Sequence, residues 1–262
     1  MIRACLVGFL AVCCAASQGA AAGCERAYVV LGSAGGRNLY MQGDRPAGFL
    51  PDLAAEVAAR SGCHLSVQIL PHERLILMGD KQMADILGNV SRGGTRPSDR
   101  DFIEIALLDV ELVLPADSKI EALEQLAART DALVGRLRRA AEPPEVKAFF
   151  AQLDPARIDV SDDSDTLARK LAAGRIQAFF GTPLFLAGSI EAAGINGRVR
   201  RLPLASPPYR IGWSMLHANV SAADRALLAK TLMRMRQDGT IETVLARHVG
   251  RRAAEKSLRR EP

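Results

Sequence analysis

The sequence predicts an α/β fold built on open sheets. Apolar runs of strand length alternate with segments of helical periodicity. Glycine and proline fall largely between those segments. The order strand–helix–strand–helix–strand, the signature of a βαβ unit, is complete within residues 27–89, and a second α/β set follows it.

Taken in order, residues 27–31 form a short apolar run that reads as the first strand, and Gly32-Ser33-Ala34-Gly35-Gly36 follows as a loop. A turn falls at 43–46. Phe49, Leu53 and Val57 recur every four residues, Pro51 suits a helix start and Gly62 ends the helix. Residues 65–70 read as a strand, 74–81 as a helix and 84–89 as a third strand. The stretch 104–114 is extended and apolar. Beyond it come a helix (120–129), a strand (132–135), a helix (144–153) and a strand (157–160). Ser164 caps a helix through Leu167 and Leu171 that stops at Gly174. Strands follow at 176–180, 199–204 and 210–216. Ser221, with Asp224 three residues on, caps a long helix that Asp238-Gly239 breaks, and 240–249 is a last amphipathic helix.

The first residues carry a second message. Met1-Ile2-Arg3 is a short basic start, residues 4–16 are apolar and uncharged, and Ala20-Ala21-Ala22 is a small-residue cleavage site. This reads as a secretory signal peptide over 1–22, with an apolar run too short to span a bilayer. The expected location is therefore the periplasm. Of the five cysteines, Cys5, Cys13 and Cys14 fall in this leader, so Cys24 and Cys63 remain. In an oxidising compartment the simplest outcome is one disulfide. Two free buried thiols, or lipidation of Cys24 at the imperfect lipobox Ala21-Ala22-Gly23-Cys24, are the alternatives.

The formal net charge of +5 is not a partner signal. Five basic and two acidic residues fall in 251–262 and Arg3 falls in the leader, which leaves 23–250 close to neutral. No nucleic-acid footprint is expected, and the 251–262 tail, which lacks an apolar stripe, reads as a solvated, disordered end.

Several motifs, in order, resemble the family 3 extracellular solute-binding proteins, whose best-known members serve ABC importers of polar amino acids. Gly48-Phe49-Leu50-Pro51-Asp52-Leu53 with Ser61-Gly62 matches the family's opening block. Pro71-His72-Glu73-Arg74 leading to Ala84-Asp85-Ile86-Leu87 matches the next. The segment from Thr95 to Arg100 resembles the "T-x-x-R" ligand motif, Lys170-Leu171-Ala172-Ala173-Gly174-Arg175-Ile176 a second-lobe block, and Asp238-Gly239-Thr240-Ile241 the C-terminal one. The similarity spans nearly all of the chain beyond the leader. The pairing of Cys24 with Cys63 is also familiar from a subset of these proteins.

The resemblance implies the type II periplasmic binding-protein fold, two α/β lobes joined by two hinge crossings. Lobe 1 would hold 23–110 and 206–250, and lobe 2 would hold 111–205, with crossings near 109–115 and 202–208. Such a protein would be a monomer without cofactor. It would close on a small-molecule solute and be read by the membrane permease of an ABC importer.

The resemblance also implies ligand contacts. In the family, the arginine of "T-x-x-R" forks onto a ligand carboxylate, since a guanidinium matches a carboxylate bidentately. Here two extra residues separate Thr95 from Arg100, so Arg96 is the other candidate and Asp99 a neutralising neighbour. Asn89, Ser91 and Thr95 lie on the loop that supplies backbone and hydroxyl contacts, and Tyr40 lies on another loop facing the cleft. In lobe 2, Thr182 stands where amino-acid binders carry the aspartate that takes the ligand ammonium, and Gln177 replaces a structural aspartate. Arg136, Arg138 and Arg139 occupy a loop that usually offers small hydroxyls, with Arg138 the candidate contact. A threonine cannot balance an ammonium, so a carboxylate or other small anion is the expected ligand rather than a standard amino acid.

The fold also hosts some dehydratases and lytic enzymes. The four histidines, His64, His72, His217 and His248, form no nucleophile or acid–base pattern at motif spacing, and no zinc motif occurs. An enzyme is not expected. A receptor or accessory protein that presents its ligand to a sensor would share every motif above.

Overall fold

The structure is a computed structural model and describes residues 23–91, 99–138, 140, 142–205 and 207–258. The leader, Thr95, Arg96 and Arg139 lie outside the described residues.

In chain order the elements begin with β1 (Tyr28–Ser33), β2 (Tyr40–Gln42), β3 (Arg45–Ala47), α1 (Phe49–Ser61), β4 (Leu65–Leu70), α2 (His72–Asp80), β5 (Ile86–Ser91) and β6 (Arg100–Leu108). They continue with β7 (Glu111–Pro115), α3 (Leu123–Ala128), β8 (Val134–Leu137), α4 (Pro144–Gln152), β9 (Ile158–Ser161), α5 (Ser164–Ala172), β10 (Ala178–Gly181) and α6 (Pro183–Ala192). The last are β11 (Val199–Pro203), β12 (Tyr209–Leu216), α7 (Ala222–Gln237), α8 (Thr240–Val249) and α9 (Arg251–Leu258).

Two five-stranded sheets organise the molecule, with strand orders β4-β1-β5-β12-β6 and β11-β7-β10-β8-β9. In the first, β4, β1 and β5 run parallel, and β12 lies antiparallel between β5 and β6. In the second, β10, β8 and β9 run parallel, while β7 is antiparallel to both β10 and β11. This is the type II periplasmic binding-protein α/β fold, with a lobe around each sheet. The expected single extended stretch at 104–114 is two strands in different sheets, so the chain crosses between sheets after Leu108 and returns after Pro203. The two crossings touch: the Leu204 N–H donates to the Val110 carbonyl at 3.0 Å.

The first lobe buries Tyr28, Phe49, Leu50, Leu53, Val57 and Trp213 between its sheet and α1, α7 and α8. Helix α1 presents Leu50, Leu53, Ala54 and Val57 to that core at helical spacing and stops at Gly62, whose φ of 72° is the left-handed conformation glycine adopts freely. Helix α7 is capped as the sequence predicts, with the Asp224 N–H donating to the Ser221 hydroxyl at 3.2 Å. The second sheet is covered on both faces. Leu112, Leu114, Val134, Phe149 and Phe150 form one cluster, and Val113, Leu167, Phe179, Leu186 and Ile190 the other.

Cys24 and Cys63 form a disulfide that closes a loop of 39 residues and ties the segment before β1 to the end of α1. It also consumes the sulfur that lipidation of Cys24 would require.

Three local expectations fail. The tail is not a disordered end over its described part. Residues Arg251–Leu258 form α9, with Ala254 fully buried against lobe 1 and Lys256 paired with Asp109 at 2.5 Å. Its apolar contacts are Ala254 and, partly buried, Leu258, too few to register as a stripe. Helix α5 is capped by Asp163, whose carboxylate accepts from the Thr166 N–H at 2.6 Å, while the Ser164 hydroxyl bonds to Ser189 instead. Helix α6 was not foreseen, because Leu184, Phe185, Leu186 and Ile190 give it apolar residues all round and no stripe.

Candidate functional site

Ligands of open parallel sheets sit beyond the carboxyl ends of the strands. Those ends are Ser33 of β1 and Ser91 of β5 in lobe 1, and Leu137 of β8 and Gly181 of β10 in lobe 2. The structure turns them toward one another. The loop after β1 meets the start of α6, which follows β10: the Arg37 N–H donates to the Leu184 carbonyl at 2.9 Å, and Phe185 lies against Gly35 and Gly36.

On the lobe 1 side, Asn89 is the notable residue. It is only 6% exposed and holds φ at 53°, which a non-glycine residue adopts at a cost. Its Nδ2 donates to Oδ1 of the buried Asn38 at 2.7 Å, while its own Oδ1 has no hydrogen-bond partner among the described residues. Ser91 closes β5 half-buried. At the mouth, His72 of α2 places Nδ1 3.3 Å from the Ser33 hydroxyl. Tyr40 does not stand alone as a stacking ring. It lies near Arg37, whose guanidinium is held above its ordinary pKa mainly by Glu191 of α6 and in smaller part by Tyr40.

On the lobe 2 side, Thr182 is 7% exposed and its hydroxyl has no partner among the described residues. Its position is the N-cap of α6, yet the side chain makes no cap bond; the backbone carbonyl instead accepts from Phe185 and Leu186. A separate cleft of about 190 Å³ lies at the end of β8 on the side of β9, lined by Arg136, Leu137, Arg138, Ala140, Glu142 and Val160. Arg136 forks onto Glu142 with two bonds of 2.7 Å and stacks 4.7 Å over the Phe150 ring. Arg138 bonds Asp162 at 2.6 Å, the main reason its pKa is raised, and also feels Glu73 of α2 across the lobes. Gln177 has structural work, accepting from the Leu133 N–H and donating to the Gly174 carbonyl.

Arg100 is not brought to this site. It opens β6, which runs parallel to β5, so it lies beside the start of β5 and not its end. Through their shared neighbour β12, Ser91 is opposite Ile211 and Arg100 opposite Leu216, five residues along, or about 17 Å. Its guanidinium is spent on the Asp99 carboxylate at 2.9 Å and the Gly79 carbonyl at 3.0 Å. The expectation followed motif spacing. The physical reason it fails is that β6 starts at Arg100 itself, at the far edge of the sheet.

The hinge holds two partly buried ionisable groups that the sequence did not flag. Burial, with a smaller push from Glu142, raises the Tyr209 phenol above its ordinary pKa. Burial also raises the Glu111 carboxyl, whose Oε2 has no hydrogen bond among the described residues and sees Arg201 at 3.7 Å, in ion-pair range only. No group of three or more His, Cys, Asp or Glu side chains among the described residues is placed to hold a metal ion.

No family profile and no curated protein matches the chain. Solved structures do. The VFT2 domain of Bordetella pertussis BvgS aligns at a TM-score of 0.70 and 16% identity, over 85% of this chain and 93% of that one. An ancestral arginine-binding protein bound to arginine aligns at 0.70 and 18%, over 86% and 98%. A histidine kinase sensor domain with similarity to periplasmic binding proteins aligns at 0.68 and 18%, over 86% and 96%. At such identities the likeness is one of fold.

Proposed function

We propose that the protein is an exported binding protein that captures a small polar, carboxylate-bearing solute between its lobes and passes it to the membrane permease of an importer. The observation that carries this reading is Thr182: a neutral, buried hydroxyl without a partner among the described residues, at the end of a parallel strand of lobe 2. A buried hydroxyl left unpaired is costly, and a ligand group that pairs it recovers that cost. Asn89 offers an acceptor oxygen unpaired among the described residues from lobe 1, which a hydroxyl on the solute, and not its carboxylate, would fill. The carboxylates on the β8 side, Glu142 and Asp162, are each engaged by an arginine, so neither is free to take an ammonium. Neutral donors and acceptors with arginines alongside suit a carboxylate or hydroxy-acid better than a zwitterion. With Arg100 held at the other end of the sheet, Arg96 and Arg138 are the arginines proposed to meet the anion.

The test is a thermal-shift panel on protein that has been unfolded, desalted and refolded to strip bound solute. Mono- and dicarboxylates are expected to raise the melting temperature. Tight binding of an ordinary polar amino acid, with no response to carboxylates, would sink the proposal.

A second reading, ligand presentation to a sensor, is favoured by the likeness to the histidine kinase sensor domain. An adjacent permease and ATPase gene pair supports import; an orphan gene beside a sensor supports presentation.

A further inference from the structure

We propose that α6 and the loop between β1 and β2 form a latch by which the chain holds its own lobes shut, so that the closed form is the resting form and a solute enters through transient opening. The inference rests on the two-lobed reading above but not on the chemistry of the ligand.

Four contacts build the latch, all between lobe 2 residues of α6 and lobe 1. Leu184 is fully buried in lobe 1's core cluster with Leu39, Phe49 and Leu50, although its helix belongs to the other lobe. The Arg37 N–H donates to the Leu184 carbonyl at 2.9 Å. Arg37 pairs with Glu191, about two turns further along the same face of α6. Between these, Gly188 meets the backbone of Gly36 directly.

The glycine pair is the diagnostic part. Gly188 sits inside α6, where glycine weakens a helix relative to alanine. The three atoms nearest to a Cβ built there, at 2.7 to 3.0 Å, all belong to the Gly36 main chain. Nothing within lobe 2 figures among them. The small residue therefore serves the approach of one lobe to the other. Gly36 is constrained from the other side, since a Cβ on it would strike the Phe185 carbonyl, and its φ of 50° favours glycine independently. The Arg37–Glu191 pair is half-exposed on the Glu191 side and contributes less than the buried contacts.

Spin labels at Asp44→Cys in lobe 1 and Asn196→Cys in lobe 2, both on exposed sites, report the inter-lobe distance by electron–electron double resonance. The expected result for solute-stripped protein is one short distance. Gly188→Val is expected to raise the long-distance, open population by roughly tenfold. Arg37→Glu, a surface change that sets two carboxylates against each other without touching either core, is expected to raise it by a smaller factor, about threefold. If the solute-stripped protein already shows the long distance, or if both variants stay as closed as the parent, the latch is refuted. Neither outcome depends on which solute binds, so failure of the carboxylate proposal reads out separately.

Discussion

Replacing Thr182 with valine separates a ligand-facing hydroxyl from a structural one. The two side chains have the same shape and the same β-branching, so the cavity and the backbone are retained. The hydroxyl makes no cap bond to α6, so no cap is lost. It is 7% exposed and has no partner among the described residues, a state that costs about 1–3 kcal/mol. Removing it is expected to recover part of that cost, about 1 kcal/mol. In urea this moves the unfolding midpoint up by about half a molar at an m-value of roughly 2 kcal/mol/M. In the same variant the affinity for the best carboxylate of the panel is expected to fall by about 3- to 10-fold, the worth of one neutral hydrogen bond. Midpoint and affinity thus move in opposite directions. A variant destabilised by 1 kcal/mol or more would mean that the hydroxyl holds the fold together. A variant with unchanged affinity would mean that it does not meet the solute. Either result refutes the reasoning.

Two further changes have defined outcomes. Cys24→Ser with Cys63→Ser opens a loop of 39 residues and is expected to lower stability by about 4 kcal/mol on the loop-entropy model, read as a guanidinium midpoint; a loss under about 1 kcal/mol would contradict it. Glu111 carries a carboxyl whose pKa is raised in the folded state by burial, so its contribution to stability is fully present below the unfolded value near about 4.3 and is lost as pH rises through the folded value. Glu111→Gln is expected to be more stable than the parent at neutral pH and to flatten the pH profile between those two values; a parent profile that rises with pH across that window would reverse the sign and exclude the assignment.

The parts of this fold that were legible in the sequence are those whose residues answer to one partner. Helix α1 shows its buried face as Leu50, Leu53 and Val57, and α7 shows its cap as Ser221. The parts that were not legible answer to two. Helix α6 packs against its own lobe through Leu186 and Ile190 and against the other through Leu184, so its apolar residues surround it and no period emerges. Helix α9 is half charged and is held by Ala254, Leu258 and the Lys256–Asp109 pair, too sparse a set for sequence patterning to weigh. Strands β2 and β3 are three residues each, shorter than an alternation needs to be seen. Asn89, Ser91 and Thr182, named from the resemblance, lie at the ends of β5 and β10, and it is those strand ends that were legible. Arg100 was misplaced because its position depends on where β6 starts against β12, a register that motif spacing does not carry.

The two crossings between the sheets divide the chain unequally in time as well as in space. Every strand of the second sheet lies between Glu111 and Pro203, so that sheet is complete once one contiguous stretch has formed. The first sheet is different, because β12 sits between β5 and β6 and arrives only at Tyr209–Leu216. Until then β6 has no neighbour joining it to the rest of its sheet, and β5 presents an unpaired edge. From contact order alone lobe 2 is expected to form ahead of lobe 1, whose sheet needs a strand encoded more than 100 residues after β6 begins.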